Sequence, residues 1–413
     1  MAGGLRGYAG TGTELLEGVR RLGGRDAIKP RERILATFEG RSTDRVPVHH
    51  IGFSGYAASV ILGREAYVGG QIQQWREMKA LWEGPEAHRE FLERSERDAV
   101  EVALACGHDM IRLQYWRWRI KPTRKIDEYS FLFGDPEGSW YVLEFDPKTE
   151  LFHRIEGYKE SIVESPVREM SEEDLEAFVS SKERELEAYH PPEGPDPAIQ
   201  ATLARYGDYA IRNWGVGASI PHDQAWLEAV ALRPDLVKRY VEVQAERAVR
   251  QLPRLAASGV KLIFGGGDFA SNEGPLYSPK VFHDIMLPAL RRITEECHRL
   301  GMYYLFASDG NLWPVAHDLF GESGVDGYYE IDRRAGMDLK RLREEFPDLT
   351  LIGNISSHTL HRGTKEQVIE EVLSCIDVAQ RYGRVIVGVS NYIMPGTPPQ
   401  NIEALLETIE RYR

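Results

Sequence analysis

The feature that most constrains this chain is a rhythm: short β-branched or apolar runs recur along it, each followed by a longer stretch with helical apolar spacing. The runs fall at 46–51, 109–114, 209–214, 260–265, 302–307, 325–330, 349–353 and 384–389, and stretches such as 279–300 and 364–382 carry the helical pattern. Parallel neighbours need a crossover connection, so this alternation marks βα units and a parallel sheet. Eight runs match closure into a barrel, whereas an open sheet requires no particular number. The expected fold is α/β, a single (β/α)8 TIM barrel over 29–413. A Gly-rich N-terminal extension without periodicity precedes it over 1–28.

Two insertions break the rhythm. Residues 117–160 alternate apolar and polar through Trp140-Tyr141-Val142-Leu143-Glu144-Phe145 between turn residues at 134–136 and 146–148, which predicts a β-rich meander on the rim. From Ser171 the chain predicts a solvated charged helix, opened by a capping box between Ser171 and Asp174.

Composition removes several partners. With 51 Lys and Arg against 64 Asp and Glu, the net charge of −13 repels nucleic acid and anionic membranes. No run of about 18 apolar residues is present and the start lacks the apolar core of a signal peptide, so a cytoplasmic location is expected. Cys106, Cys297 and Cys375 stand far apart, fit no disulfide framework or C-x-x-C motif, and read as small buried hydrophobes.

In a barrel of this kind the reactive groups follow the strands. After the fourth run, Gly265-Gly266-Gly267 would let backbone approach a ligand and Asp268 would be presented at the mouth; a plain turn or helix cap is the competing role. Asp309, in Ser308-Asp309-Gly310-Asn311, either projects into a pocket or caps the next helix. Glu330 ends the sixth run and could bring a second carboxylate beside the first, which would leave one of the pair protonated as a general acid. A solvated pair on the rim is the alternative. Asn354, Ser390 and Asn391 offer neutral groups for orienting a substrate oxygen. Tyr115, Trp116, Trp214 and Tyr392 could line a flat-substrate pocket or simply pack under the insertion, and His222 could act there or serve structure. Arg112, Arg117 and Arg212 are the candidates for holding a substrate carboxylate. Phosphate-loop, serine-hydrolase and H-E-x-x-H motifs are all missing from the sequence.

Together these windows resemble the uroporphyrinogen decarboxylase superfamily, specifically its branch of corrinoid-linked methyltransferases. The marks are Arg31-Glu32-Arg33-Ile34-Leu35 with Asp44-Arg45-Val46-Pro47, Gly274-Pro275-Leu276-Tyr277-Ser278-Pro279, Ser308-Asp309-Gly310-Asn311, Gly353-Asn354-Ile355 and Pro398-Pro399 with Asn401. The resemblance departs in two places. The arginine-bearing run that holds porphyrinogen carboxylates is replaced by His49-His50-Ile51-Gly52-Phe53, which argues against a porphyrinogen substrate. The His-x-Cys and Cys ligands of the zinc-dependent members are replaced by Ala307-Ser308-Asp309 and Ser390, so thiolate zinc is not expected.

The resemblance then implies an O-demethylase-like methyltransferase. It would move a methyl group from a small methylated donor, such as a methoxy-aromatic compound, to a corrinoid carried by a partner protein. Asp309, Glu330 and Asp268 would be catalytic, with the amides and aromatics binding substrate. Zinc is left open, and any metal would take oxygen ligands from Asp309 and Glu330, with His222 as an imidazole candidate. A decarboxylase or other lyase acting on a small carboxylate is the alternative, a non-catalytic binding barrel is a third, and a homodimer stays open.

Overall fold

The computed structural model describes residues 28–158 and 171–413. Apart from Ile28, the expected N-terminal extension lies outside the described residues, as do the last two positions of the 117–160 insertion.

The chain is a mixed α/β protein. Leu262–Gly266, Tyr303–Ala307, Gly327–Tyr329, Thr350–Ile352 and Val385–Ile386 pair in that order as one parallel sheet. Val387 bridges in parallel to Val48, and Gly52–Phe53 pairs in parallel with Tyr392–Ile393. The Asp109 N–H donates to the Val48 carbonyl at 2.9 Å, Met110–Ile111 pairs with Ala210–Ile211, and Gly215 bridges to Phe264. The succession of parallel contacts returns to its starting strand. Each of these segments except Tyr392–Ile393 touches or overlaps one of the runs seen in the sequence.

Two apolar layers follow from strand alternation. Ile51, Met110, Ala210, Leu262, Leu305, Tyr329, Ile352 and Ile386 form one buried cluster. Their alternate neighbours, among them Ile263, Tyr304, Phe306, Tyr328 and Leu351, pack against the surrounding helices. Helix Leu287–Arg299 shows why: Leu287, Leu290, Ile293, Thr294 and Cys297 recur at helical spacing and are buried, while Arg291, Arg292 and Arg299 lie outside.

The largest fully enclosed side chain among the described residues is charged. Arg33, on helix Pro30–Phe38, is 0% exposed and pairs with Asp109 and, at 2.7 Å, with Asp44, while Asp109 also accepts from the Val48 N–H at 2.9 Å. A buried guanidinium is tolerable only with such partners, and this one fastens the first helix under the first two strands. Arg33 and Asp44, read in the sequence as marks of family resemblance, therefore hold the fold together.

The first insertion is a four-stranded antiparallel sheet within 124–158, and it packs Phe131, Phe133, Phe145 and Phe152 around Met78. Glu150 connects it to the strand ends. Its carboxylate accepts from the Gly55 N–H at 2.8 Å and the Tyr56 N–H at 2.7 Å, capping the helix Gly55–Leu62. The second insertion opens as its sequence implies, with the Ser171–Asp174 capping box starting helix Glu172–Glu187.

Candidate active site

Three carboxylates meet beyond the ends of neighbouring strands. Asp268 follows Leu262–Gly266, Asp309 follows Tyr303–Ala307, and Glu330 follows Gly327–Tyr329. One oxygen of each lies within 4.8 Å of the others. The Asp309 N–H donates to Asp268 Oδ1 at 3.0 Å, and Asn391 Nδ2 donates to Asp309 Oδ2 at 2.6 Å. Asn311 accepts from the Trp313 N–H at 3.1 Å and so takes the turn-capping role open to the Ser308–Asn311 loop. That leaves the Asp309 carboxyl to face its acidic neighbours.

Burial pushes the Asp309 carboxyl up to about 8, with Glu330 and Asp268 adding like-charge repulsion and the Asn391 amide opposing it. Burial likewise pushes Glu330 up to about 7, with Arg212 opposing and Asp268 adding. The two titrate as a pair, so at neutral pH the site holds at least one proton on a carboxylic acid. Glu330 also has φ 70°, a left-handed conformation that costs a non-glycine residue about 1 kcal/mol or more and gathers at functional sites.

Beside the triad lies a cavity of about 290 Å³, lined by Arg112, Tyr115, Arg212, Asn213, Trp214 and Tyr329 together with neighbouring backbone. Tyr115 and Trp214 line this cavity. Trp116 is 44% exposed and tilts against Tyr392 with ring centroids 5.8 Å apart. Arg117 is not available for a substrate, because it pairs with the buried Glu77 at 2.7 Å.

Other expected residues are placed elsewhere. Asn354 is 0% exposed, donates to the Met337 carbonyl at 3.1 Å and accepts from Cys375 Sγ at 3.6 Å; both ends of its amide are used inside the protein. It does not join the carboxylates. Ser390 is buried, with its hydroxyl directed at the Ile355 carbonyl at 3.4 Å. His222 is exposed, next to Asp223, which caps helix Gln224–Leu232. The triple glycine serves packing first. A Cβ on Gly265 would sit 1.8 Å from the Tyr304 hydroxyl, and Gly266, at φ 93°, lies against the Ala307 backbone. Gly267 alone of the three has open space around it.

No thiolate reaches the mouth: Cys106, Cys297 and Cys375 are all buried, Cys297 and Cys375 within helices and Cys106 at a helix end, and burial pushes each thiol up. A second metal-like group, His50, Cys106 and His108, has ligand atoms within 4.8 Å of one another. Its protonation pattern does not suit a cation. His50 Nδ1 accepts from the Val389 N–H at 3.1 Å, which places its proton on Nε2. His108 Nε2 accepts from the His50 N–H at 3.0 Å and the ring also bonds the Met110 backbone, so neither ring offers a free lone pair. Burial holds both rings far below the usual histidine range. Histidines in this layer are neutral packing residues.

With this geometry in view, the uroporphyrinogen decarboxylase family model matches residues 216–412. This part of the chain is similar to the uroporphyrinogen decarboxylase family. It contains Asp268, Asp309, Glu330 and Asn391, whereas Arg112, Tyr115 and Arg212 precede it. A uroporphyrinogen decarboxylase from Anaeromyxobacter sp. (strain Fw109-5) is 30% identical over 130 residues, covering 31% of this chain and 36% of that relative. Among solved structures, the IOLI protein with a binding zinc atom is 10% identical with TM-score 0.26, covering 59% of this chain and 95% of its own. A xylose isomerase-like TIM barrel/4-hydroxyphenylpyruvate dioxygenase fusion protein is 13% identical with TM-score 0.24, covering 57% and 39%. No helix among the described residues is long and apolar enough to cross a membrane.

Proposed function

We propose that the chain is a single (β/α)8 barrel carrying the antiparallel insertion on its rim, and that it moves a methyl group from a small methylated donor to a corrinoid protein. The observation that carries this reading is the convergence of Asp309, Glu330 and Asp268, with one oxygen of each within 4.8 Å of the others, where burial and like charge push Asp309 up to about 8. A methyl ether leaves poorly as an alkoxide, so a proton must reach the departing oxygen as the carbon–oxygen bond breaks. Asp309 supplies it. Asn391 fixes the Asp309 carboxyl through Oδ2, and Asp268 holds the backbone of the same loop. Tyr115, Trp214 and Tyr329 enclose the body of the donor. The corrinoid on its partner protein supplies the methyl acceptor.

A second reading is favoured by Arg112 and Arg212: decarboxylation of a small carboxylate, in which the C–C bond to the carboxyl group breaks, CO2 leaves and the electron pair left on carbon takes the Asp309 proton. The similarity of residues 216–412 to the uroporphyrinogen decarboxylase family supports either chemistry. A panel of methylated and carboxylated aromatics decides between them. Methylcobalamin absorbance appearing with reduced cobalamin supports methyl transfer, CO2 release without it supports the lyase, and neither product with any compound overturns both.

A further inference from the structure

Two guanidinium groups lie side by side at the cavity and share one acceptor. Arg212 Nη1 donates to the Ile51 carbonyl at 2.9 Å, and Arg112 Nη1 reaches the same oxygen at 3.4 Å. Each is held flat against an aromatic face: Arg112 stands 4.6 Å from the Tyr115 ring centre, and Arg212 stands 4.7 Å from that of Tyr329 and 5.5 Å from that of Phe264. Arg112 also donates from Nε to the Gln114 carbonyl at 3.1 Å. Among the described residues no carboxylate lies within ion-pair distance of either group.

Like charges are normally kept apart or neutralised when water is excluded, and the Ile51 and Gln114 carbonyl dipoles do not balance two cations. Burial and the Arg212 charge pull Arg112 down to about 10, a measure of how poorly its charge is compensated. Arg33, Arg117 and Arg239 have carboxylate partners and the buried Arg343 is held by the Phe346, Leu349 and Pro347 carbonyls, whereas Arg112 and Arg212 lie side by side and share the Ile51 carbonyl. The missing anion has a place, since both side chains line the cavity walled by Tyr115, Trp214 and Tyr329. Those walls suit a planar ring, and Glu330 follows the wall residue Tyr329 directly and feels the charges of both arginines.

We propose that Arg112 and Arg212 form a clamp for the carboxylate of a planar aromatic substrate, with its reacting group turned toward Asp309 and Glu330. The assignment rests on the mouth being the substrate site and names the class of compound it takes. The rigid, stacked guanidinium groups present fixed donors to two carboxylate oxygens, and a neutral group of the same shape gains none of the charge-assisted strength.

The test is binding, independent of turnover. Calorimetry on the full chain compares 4-methoxybenzoate with 4-methoxybenzamide, which keeps shape and loses charge. The acid is expected to bind about tenfold or more tightly than the amide. Arg212→Gln and Arg112→Gln should each erase that preference, and the acid should raise the melting temperature of the wild type but of neither variant. Equal affinity for acid and amide overturns the clamp, as does the lack of binding by the acid at millimolar concentration or a preference that survives both substitutions. The acid–amide comparison in the wild type needs no variant to fold. Tight binding of the acid without methylcobalamin or CO2 from any compound would remove the proposed activities and leave the clamp standing.

Discussion

The side-chain amide of Asn391 donates to Asp309 Oδ2 across 2.6 Å, tying the loop after strand Val385–Ile386 to the loop after strand Tyr303–Ala307. With one carboxyl oxygen accepting this bond, the proton of the neutral acid falls to the other oxygen. The position of the proposed acid is thus fixed by a residue far away in sequence.

The Asn391 contact makes a prediction about pH. Its amide favours the charged form of Asp309 and so opposes the upward shift. Activity that needs protonated Asp309 should fall as pH rises through about 8, and Asn391→Ala should move that alkaline limb upward. A limb that stays put or moves down in a kcat/KM profile would separate Asn391 from the titration.

Asp309→Asn should lower turnover by about two orders of magnitude or more, the usual worth of a positioned acid. The same substitution should stabilise the fold in alkaline buffer. Asp309 and Glu330 both have folded values above the ordinary carboxylate range, so the native state binds more protons and loses stability as pH rises from that range to about 7 to 8, where the loss is complete. Asp309→Asn and Glu330→Gln should therefore melt above the wild type beyond pH 8, with the gap closing toward the ordinary carboxylate range. Melting curves across pH show this directly, and a gap independent of pH would mean that the carboxyls are not raised.

Gly265→Ala should destabilise by about 1–3 kcal/mol, the range for overpacking a filled core. The added methyl would meet the Tyr304 hydroxyl at 1.8 Å and the Val216 carbonyl at 2.6 Å, and Tyr304 is fully buried and cannot swing away. Denaturant midpoints measure the loss. An unchanged midpoint would return the triple glycine to the role of a ligand-approach loop.

Glu150→Ala should cost about 1–3 kcal/mol, because it leaves the Gly55 and Tyr56 N–H groups without their acceptor. Glu150→Gln keeps an acceptor oxygen and should lose less. If both variants lost the same amount, the charge of the cap rather than its hydrogen bonds would be what matters.

Sequence patterning alone determined the order of strands and helices, since apolar periodicity along a chain is a local property. It also placed Asp268, Asp309 and Glu330 at strand ends, and strand ends in a cyclic parallel arrangement face one another. The capping box at Ser171 is local too and was equally legible. Only the tertiary structure decided which polar residues are spent on the fold. Asn354 follows its strand as Asn391 does, yet its amide is consumed by Met337 and Cys375, partners at sequence distances no local pattern encodes. Arg117 and Arg212 look alike in sequence, but Glu77 neutralises the first. Arg212 meets Arg112 at the Ile51 carbonyl instead. Whether a charged side chain is free to hold a ligand depends on the partner that packing brings to it, and that partner is fixed only when distant segments come together.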